Sequence, residues 1–390
     1  MLEINLELIS IILFYSLIAL FFIIKRKKVE VQGKILFLYK TKRFNNLLKK
    51  IGTSCPRFWK WFGYAGIPIG FVVMALIFGY LLYSFLKLFI VPNAVPTLSL
   101  VIPGVHIPGS SIFIPFWYCI ISLFIVILVH EGAHGVVATA LKQKIKSAGV
   151  GILAVLPLAF VEPDEKQLQK QSAKTQLAVF SAGTMANFVT AAIVLLLASF
   201  VVAPIAGQVI MSHGTYVESV TSGLPAEIAG LHHSQIITQI DGQDIITVED
   251  FVNYMKSVKP GQAITIQADG KSYQITTIAD PQNASVPHMG IQFKQNVEIK
   301  PELVQKFGKL PWSVWYFLQL LYWIFTLNIG IGAINLLPLG PIDGGRMANI
   351  ALSKGMKNKE RAKKLFSLIS MLSLVLLLAN ILGPYLIRAL

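Results

Sequence analysis

"ILVHEGAHGVVA" occupies residues 127–138 and closes a long apolar run. Two histidines and a glutamate are out of place there. Insertion scales charge roughly 2.5–3.5 kcal/mol for an Asp, Lys or Arg at the middle of a membrane helix. On a helix, residues four apart share a face. His130 and His134 therefore point the same way and can grip one Zn²⁺ through ring nitrogens, with Glu131 in reach as general base. A single helical histidine is ordinarily a hydrogen-bonded packing residue. That reading is harder to sustain for three such groups together at the end of a span.

The rest of the chain favours a bilayer. Of 390 residues, 54% are hydrophobic and only 14% charged, against about 25% charged in soluble domains. Mean hydropathy is +0.64. A span needs roughly 20 apolar residues, and six stretches qualify: 6–24, 63–90, 112–141, 175–202, 312–337 and 365–387. The first lacks a basic leader and a small-residue cleavage site, so it reads as a retained anchor. Cys55 and Cys119 give neither a disulfide framework nor a cysteine metal site.

The loops fix an expected orientation. Twelve Lys/Arg fall between Lys25 and Lys60, six lysines in 142–174 and seven Lys/Arg in 346–364, but none in 91–111. The positive-inside rule places the three basic loops in the cytoplasm and both termini outside. The net charge of +15 is then explained by cytoplasmic retention and attraction to anionic lipid, and no nucleic-acid partner is expected.

Residues 205–310 are different. Short alternating runs such as "TYVESV", "QIITQI" and "AITIQA" lie between turn residues, and "TVEDFVNYMKSVK" (247–259) has helical apolar spacing. The expected fold class is a polytopic α-helical membrane protein of about six transmembrane helices, with an inserted extracytoplasmic α+β domain. We divide it into 1–111 (two spans and a basic cytoplasmic loop), 112–204 (the HEGAH span and the span after it), 205–297 (the inserted domain) and 298–390 (the span before Asp343 and a last span).

A catalytic zinc takes three protein ligands and leaves one position open. "NLLPLGPIDGGRM" (335–347) supplies a third in Asp343. Broken backbone at membrane depth is tolerated only around a buried or water-filled site. The spans bearing His130/His134 and Asp343 run in the same direction, so all three groups lie near the inner ends. An ordinary Asp-Gly turn is the competing reading of this stretch.

"HEGAH", "FSAGTMAN" (180–187) and "NLLPLGPIDGG", in that order and each on its own span, resemble the site-2 protease family of intramembrane zinc metalloproteases. The resemblance covers roughly 112–202 and 312–364. It implies that His130, His134 and Asp343 hold one zinc ion and that Glu131 is the catalytic base. It also implies that Asn335 hydrogen-bonds the scissile carbonyl or stabilises the oxyanion, and that Asn187 is the polar residue beside the site. Helix–helix hydrogen bonding is the alternative for both asparagines. Ala182, Gly183 and Ala186 are small enough for close approach of two spans. The implied substrates are single-span or otherwise membrane-anchored proteins, cut in or near a transmembrane helix in regulated intramembrane proteolysis.

A helical substrate hides its amides and must unwind. "SAGVGILAVLPLAFVEPDE" (147–165) suits a re-entrant β-hairpin whose edge pairs with an unwound substrate, or else an amphiphilic surface loop. The 205–297 segment resembles a PDZ domain through "GLPAEIAGL", "QIDG" and a closing run "VPHMGIQF" (286–293), which implies peptide addition beside Gly290–Phe293 or, equally, a size filter. His106, His213, His232, His233 and His288 read as surface or turn residues. Two rival functions remain at this point. One is an ion or proton transporter, which predicts repeated halves that are not evident. The other is an inactive scaffold, against which the intact Glu131 speaks.

Overall fold

The computed structural model describes residues 6–33, 35–90, 98, 101–105, 113–153, 156–280 and 283–389. The chain opens with helix α1 (Leu6–Ile24), strands β1 (Val29–Gln32) and β2 (Leu36–Lys40), and helices α2 (Lys42–Ser54) and α3 (Pro56–Lys87). Helix α4 (Phe116–Ala140) carries the HEGAH stretch. It is followed by β3 (Ile145–Leu153), β4 (Leu156–Pro163), the short α5 (Glu165–Gln169) and α6 (Ala173–Leu197). A π-helical stretch over Ala198–Val202 joins α6 to α7 (Ala203–Val209).

The inserted segment comprises β5 (Ile210–Val220), α8 (Pro225–Ile228), β6 (Ile236–Ile240), β7 (Gln243–Asp244), α9 (Val248–Ser257), β8 (Ala263–Ala268), β9 (Lys271–Thr276), β10 (Ile278–Ala279), β11 (Pro287–His288) and β12 (Ile291–Ile299). The chain ends with α10 (Pro301–Phe307), α11 (Trp312–Asn335), α12 (Asp343–Gly355) and α13 (Lys359–Ala389). Six helical stretches among the described residues are long and apolar enough to cross a membrane, and they coincide with the six expected ones within a few residues at most ends. The protein is thus a multi-pass membrane protein with an inserted α+β domain. The second span starts at Pro56, earlier than Gly63, because "PRFWKWF" continues the helix despite its charges.

The basic segment after the first span is more than the loop its charge suggested. β1 and β2 form a hairpin that joins β3 and β4 in one antiparallel sheet of order β1-β2-β3-β4. Charge dominates the reading of "KTKRFNNLLKK", yet Phe44, Leu48 and Ile51 lie at helical spacing and pack with Val136 of α4 and Ile145 and Ala148 of β3. The "SAGVGIL…" stretch forms the expected antiparallel hairpin, with Gly149 opposite Phe160 and Val161 opposite Ala148.

The second span is built into the helical core. Ser181 of α6 donates through Oγ to the Gly63 carbonyl of α3 at 3.1 Å. The buried Met347 of α12 shares one cluster with Met74 and Phe71 of α3. α1 makes aromatic contacts instead, with Phe14 against Phe116 and Trp117, and Phe21 against Tyr39.

The inserted domain has the strand order β12-β5-β6-β8-β9, with β7 paired to β6. Val217, Ile237, Ile240, Phe251, Ile264 and Ile266 form its core. Thr247 and Asp250 close a reciprocal capping box at the start of α9. Backbone and side-chain donors of Thr247 hold the Asp250 carboxyl below its ordinary pKa. β12 is an edge strand, and a cavity of about 360 Å³ lies between it and Phe251, Val252 and Met255 of α9. This is a PDZ-like arrangement with the groove strand last. His233 contacts the Glu218 carbonyl and His288 lies 3.6 Å from Asp280, while His106 falls outside the described residues.

Leu48 is 3% exposed and Leu47 50%. Leu48→Ala should cost about 2–4 kcal/mol and Leu47→Ala under about 0.5 kcal/mol. Unfolding midpoints in detergent measure the difference.

Candidate metal centre

Helical spacing alone brings His130 and His134 together on α4. Their rings meet edge to face, with Nε2 atoms 3.2 Å apart. Asp343 arrives from α12, whose first residue it is, so its carboxylate also lies at a helix N-terminus, where negative charge is favourable. Asp343 Oδ2 stands 3.0 Å from His130 Nε2 and 3.1 Å from His134 Nε2. The three donor atoms all lie within 4.8 Å of one another. Both histidines are 7% exposed.

These residues are positioned to bind a metal, and their surroundings fit one. His134 Nδ1 donates to the Val179 carbonyl at 2.7 Å, which leaves the Nε2 lone pair free. The Asn187 amide lies 3.1 Å from His130 Nδ1, and Asn187 Oδ1 is buried without a partner. Amide orientation is an assignment made from the hydrogen-bond network. With the amide turned over, Oδ1 accepts from Nδ1–H and frees His130 Nε2 as a ligand atom. Both histidines then have the outer hydrogen bond typical of metal-binding imidazoles. Asn187 thus contacts the His130 ring on the side away from Asp343.

Gly183 makes room for the pair. A Cβ there would stand 2.5 Å from His134 Nε2 and 2.7 Å from His130 Nε2. Small size in "FSAGTMAN" was legible as close packing, but its target, the imidazoles themselves, was not. On the Asp343 side the chain reverses between α11 and α12, and a side chain at Gly344 or Gly345 would strike the Leu336 and Leu339 carbonyls.

A cavity of about 310 Å³ surrounds the triad. Glu131, Asn335, Val161 and Arg346 also line it. Asn335 thus faces the same space as Asp343, at the last residue of α11. Glu131 Oε2 accepts from the Val161 backbone N–H at 3.1 Å. The register explains that contact. Ala148, opposite Val161, accepts from Thr41 N–H on its far side. Val161 therefore sits in a non-hydrogen-bonded pair, and its own N–H points out of the sheet's open edge. The strand-edge donor to Glu131 carried no sequence signal.

The chain belongs to peptidase family M50, the site-2 protease family, whose profile matches residues 118–377. It is 27% identical over 339 residues to an uncharacterized protein of Methanocaldococcus jannaschii, covering 85% of this chain and 82% of that one. It is 24% identical over 237 residues to the zinc metalloprotease RasP of Oceanobacillus iheyensis, covering 49% of this chain and 54% of RasP. PDZ domains of SdrC-like proteins match about 20% of the chain. The one from Listeria monocytogenes is 33% identical with 86% of it covered, and the one from Listeria innocua is 35% identical with 92% covered, each at a TM-score of 0.19.

Gly183→Ala should displace both imidazoles and strip the metal. Asn187→Ala should weaken metal affinity about 10–100-fold, as loss of an outer hydrogen bond to a ligand does. Titration with a zinc-competing chelator reads both.

Proposed function

We propose that this protein is an intramembrane zinc endopeptidase that cuts membrane-anchored proteins within or beside a transmembrane helix. The observation that carries this is the meeting of three buried ligand atoms from α4 and α12 in one cavity with Glu131. Zinc held there would supply Lewis acidity, making water more acidic and polarising a carbonyl. His130, His134 and Asp343 hold the ion. Glu131 accepts the proton of the attacking water and returns it to the leaving amine. Asn335 donates from its amide to the carbonyl oxygen as negative charge develops.

Substrate docking uses the open edge of β4. An unwound segment adds there as a strand, with main-chain hydrogen bonds supplying the affinity. A carbonyl of that strand takes the Val161 N–H from Glu131 and frees the carboxylate for proton transfer. Positive-inside bias supports a topology with the N-terminus and the PDZ-like domain outside the cytoplasm and the site near the inner leaflet. The PDZ-like domain binds or filters the extracytoplasmic part of the substrate. The four segments 1–111, 112–204, 205–297 and 298–390 serve as the working domain division.

The test uses the full-length protein in vesicles with single-span substrates. Glu131→Gln should keep its zinc and lose cleavage by about 10²–10⁴-fold. His134→Ala and Asp343→Ala should lose both. Full zinc occupancy in either ligand variant, or undiminished cleavage by Glu131→Gln, contradicts the assignment. Deleting 205–297 should change which substrates are cut and leave some still cut; a folded deletion inactive toward every substrate contradicts that division of labour.

A further inference from the structure

A second cavity of about 260 Å³ adjoins the metal cavity. Its floor is apolar, with Leu168 and Ile350, and Gln169, Gln176 and Asn349 supply amides. Phe180 and Arg346 line both cavities, so these two side chains form the partition between them. Arg346 lies one helical turn beyond Asp343 on α12, where pairs three apart can interact. Its guanidinium engages two other groups. It sits 5.2 Å from the Phe180 ring centroid and 3.5 Å from Glu165 Oε1.

No lysine and no other arginine lines either cavity among the described residues. The Phe180 ring beside the guanidinium favours some orientations of its planar fork of donors over others. Glu165 is a weak internal partner. Its side chain is 57% exposed, that of Arg346 43%, and the contact is long and single. Exposed pairs of this kind contribute little and exchange easily. A substrate carboxylate placed in the same position gains the same donors with less competition from solvent.

The route into this cavity follows from the fold. α5, which carries Glu165, begins directly after β4. A substrate strand lying along the β4 edge and crossing the triad passes out beside α5. Because Arg346 lines both cavities, substrate residues close to the scissile bond would meet the partition, at roughly 3.3 Å per residue.

Resting on the protease reading above, we propose that this second cavity is a substrate subsite for an acidic side chain close to the cut, and that Arg346 is its specificity-determining residue, with Glu165 as an internal stand-in for the substrate carboxylate.

The experiment uses full-length, zinc-loaded protein in vesicles. A series of single-span substrates carries Asp, Asn or Lys at each position within four residues of the cut. At one position the wild type should prefer Asp over Lys by about 10–100-fold in kcat/KM, the range of a charge-assisted hydrogen bond, with the effect mainly in KM. Arg346→Ala should abolish the preference, Arg346→Lys retain part of it, and Arg346→Glu reverse it. Glu165→Gln should tighten the Asp substrate. Zinc content should stay constant throughout.

Binding of the uncut series to Glu131→Gln should show the same order of preference without turnover. A preference unchanged in Arg346→Ala and Arg346→Glu, or a wild-type preference for Lys, overturns the subsite. Absence of cleavage by the wild type with the binding preference intact counts against the protease reading and leaves the subsite standing.

Discussion

Two imidazoles and a carboxylate share a space that closes if one hydrogen atom becomes a methyl group. At Gly183 the backbone of α6 comes so near the Nε2 atoms of His130 and His134 that a side chain cannot stand there. The same helix supplies the Val179 carbonyl to His134 and the Asn187 amide to His130. α6 thus orients both imidazoles while carrying none of the three groups. Its approach in turn depends on its other face, where Ser181 bonds to Gly63 of α3. The second span therefore supports the metal centre at one remove, through the helix that sets the ligand geometry.

Glu131 is held differently from the two histidines. The histidines are fixed by helix-to-helix contacts, whereas Glu131 is fixed by a strand edge through Val161 N–H. A sheet edge normally invites another strand. Here the invitation is answered internally by a carboxylate, which blunts the edge without covering it. One donor thus serves both edge protection and placement of the Glu131 carboxylate. On the function proposed above, docking and readiness for proton transfer would be parts of one exchange.

Much of the centre was legible in the sequence because helical periodicity is strict. The i, i+4 spacing of His130 and His134, and the Pro/Gly-rich break before Asp343, each follow from local rules. Asn335 was legible only through the family motif and faces the cavity from the end of α11. The role of Asn187 was not legible, since a side chain eight residues from Val179 on the same helix reveals a partner on α4 only when the helices are docked. The sheet was half legible. Glycines and alternating apolar residues announced β3 and β4, while lysines masked β1, β2 and the apolar stripe of α2. Arg346 read as one more cytoplasmic charge, because nothing local says that its guanidinium turns toward Phe180 and Glu165.

The pairing of β2 with β3 has a consequence for what counts as a minimal unit. The family match begins at residue 118, yet β3 pairs over Gly149–Leu153 with Leu36–Lys40, far upstream. Cutting the polypeptide down to the shared segment would bare a second row of unpaired amides and carbonyls on β3. Strand-to-strand self-association of such a fragment would compete with the membrane-embedded fold, so the upstream hairpin acts as a built-in guard against oligomeric misassembly.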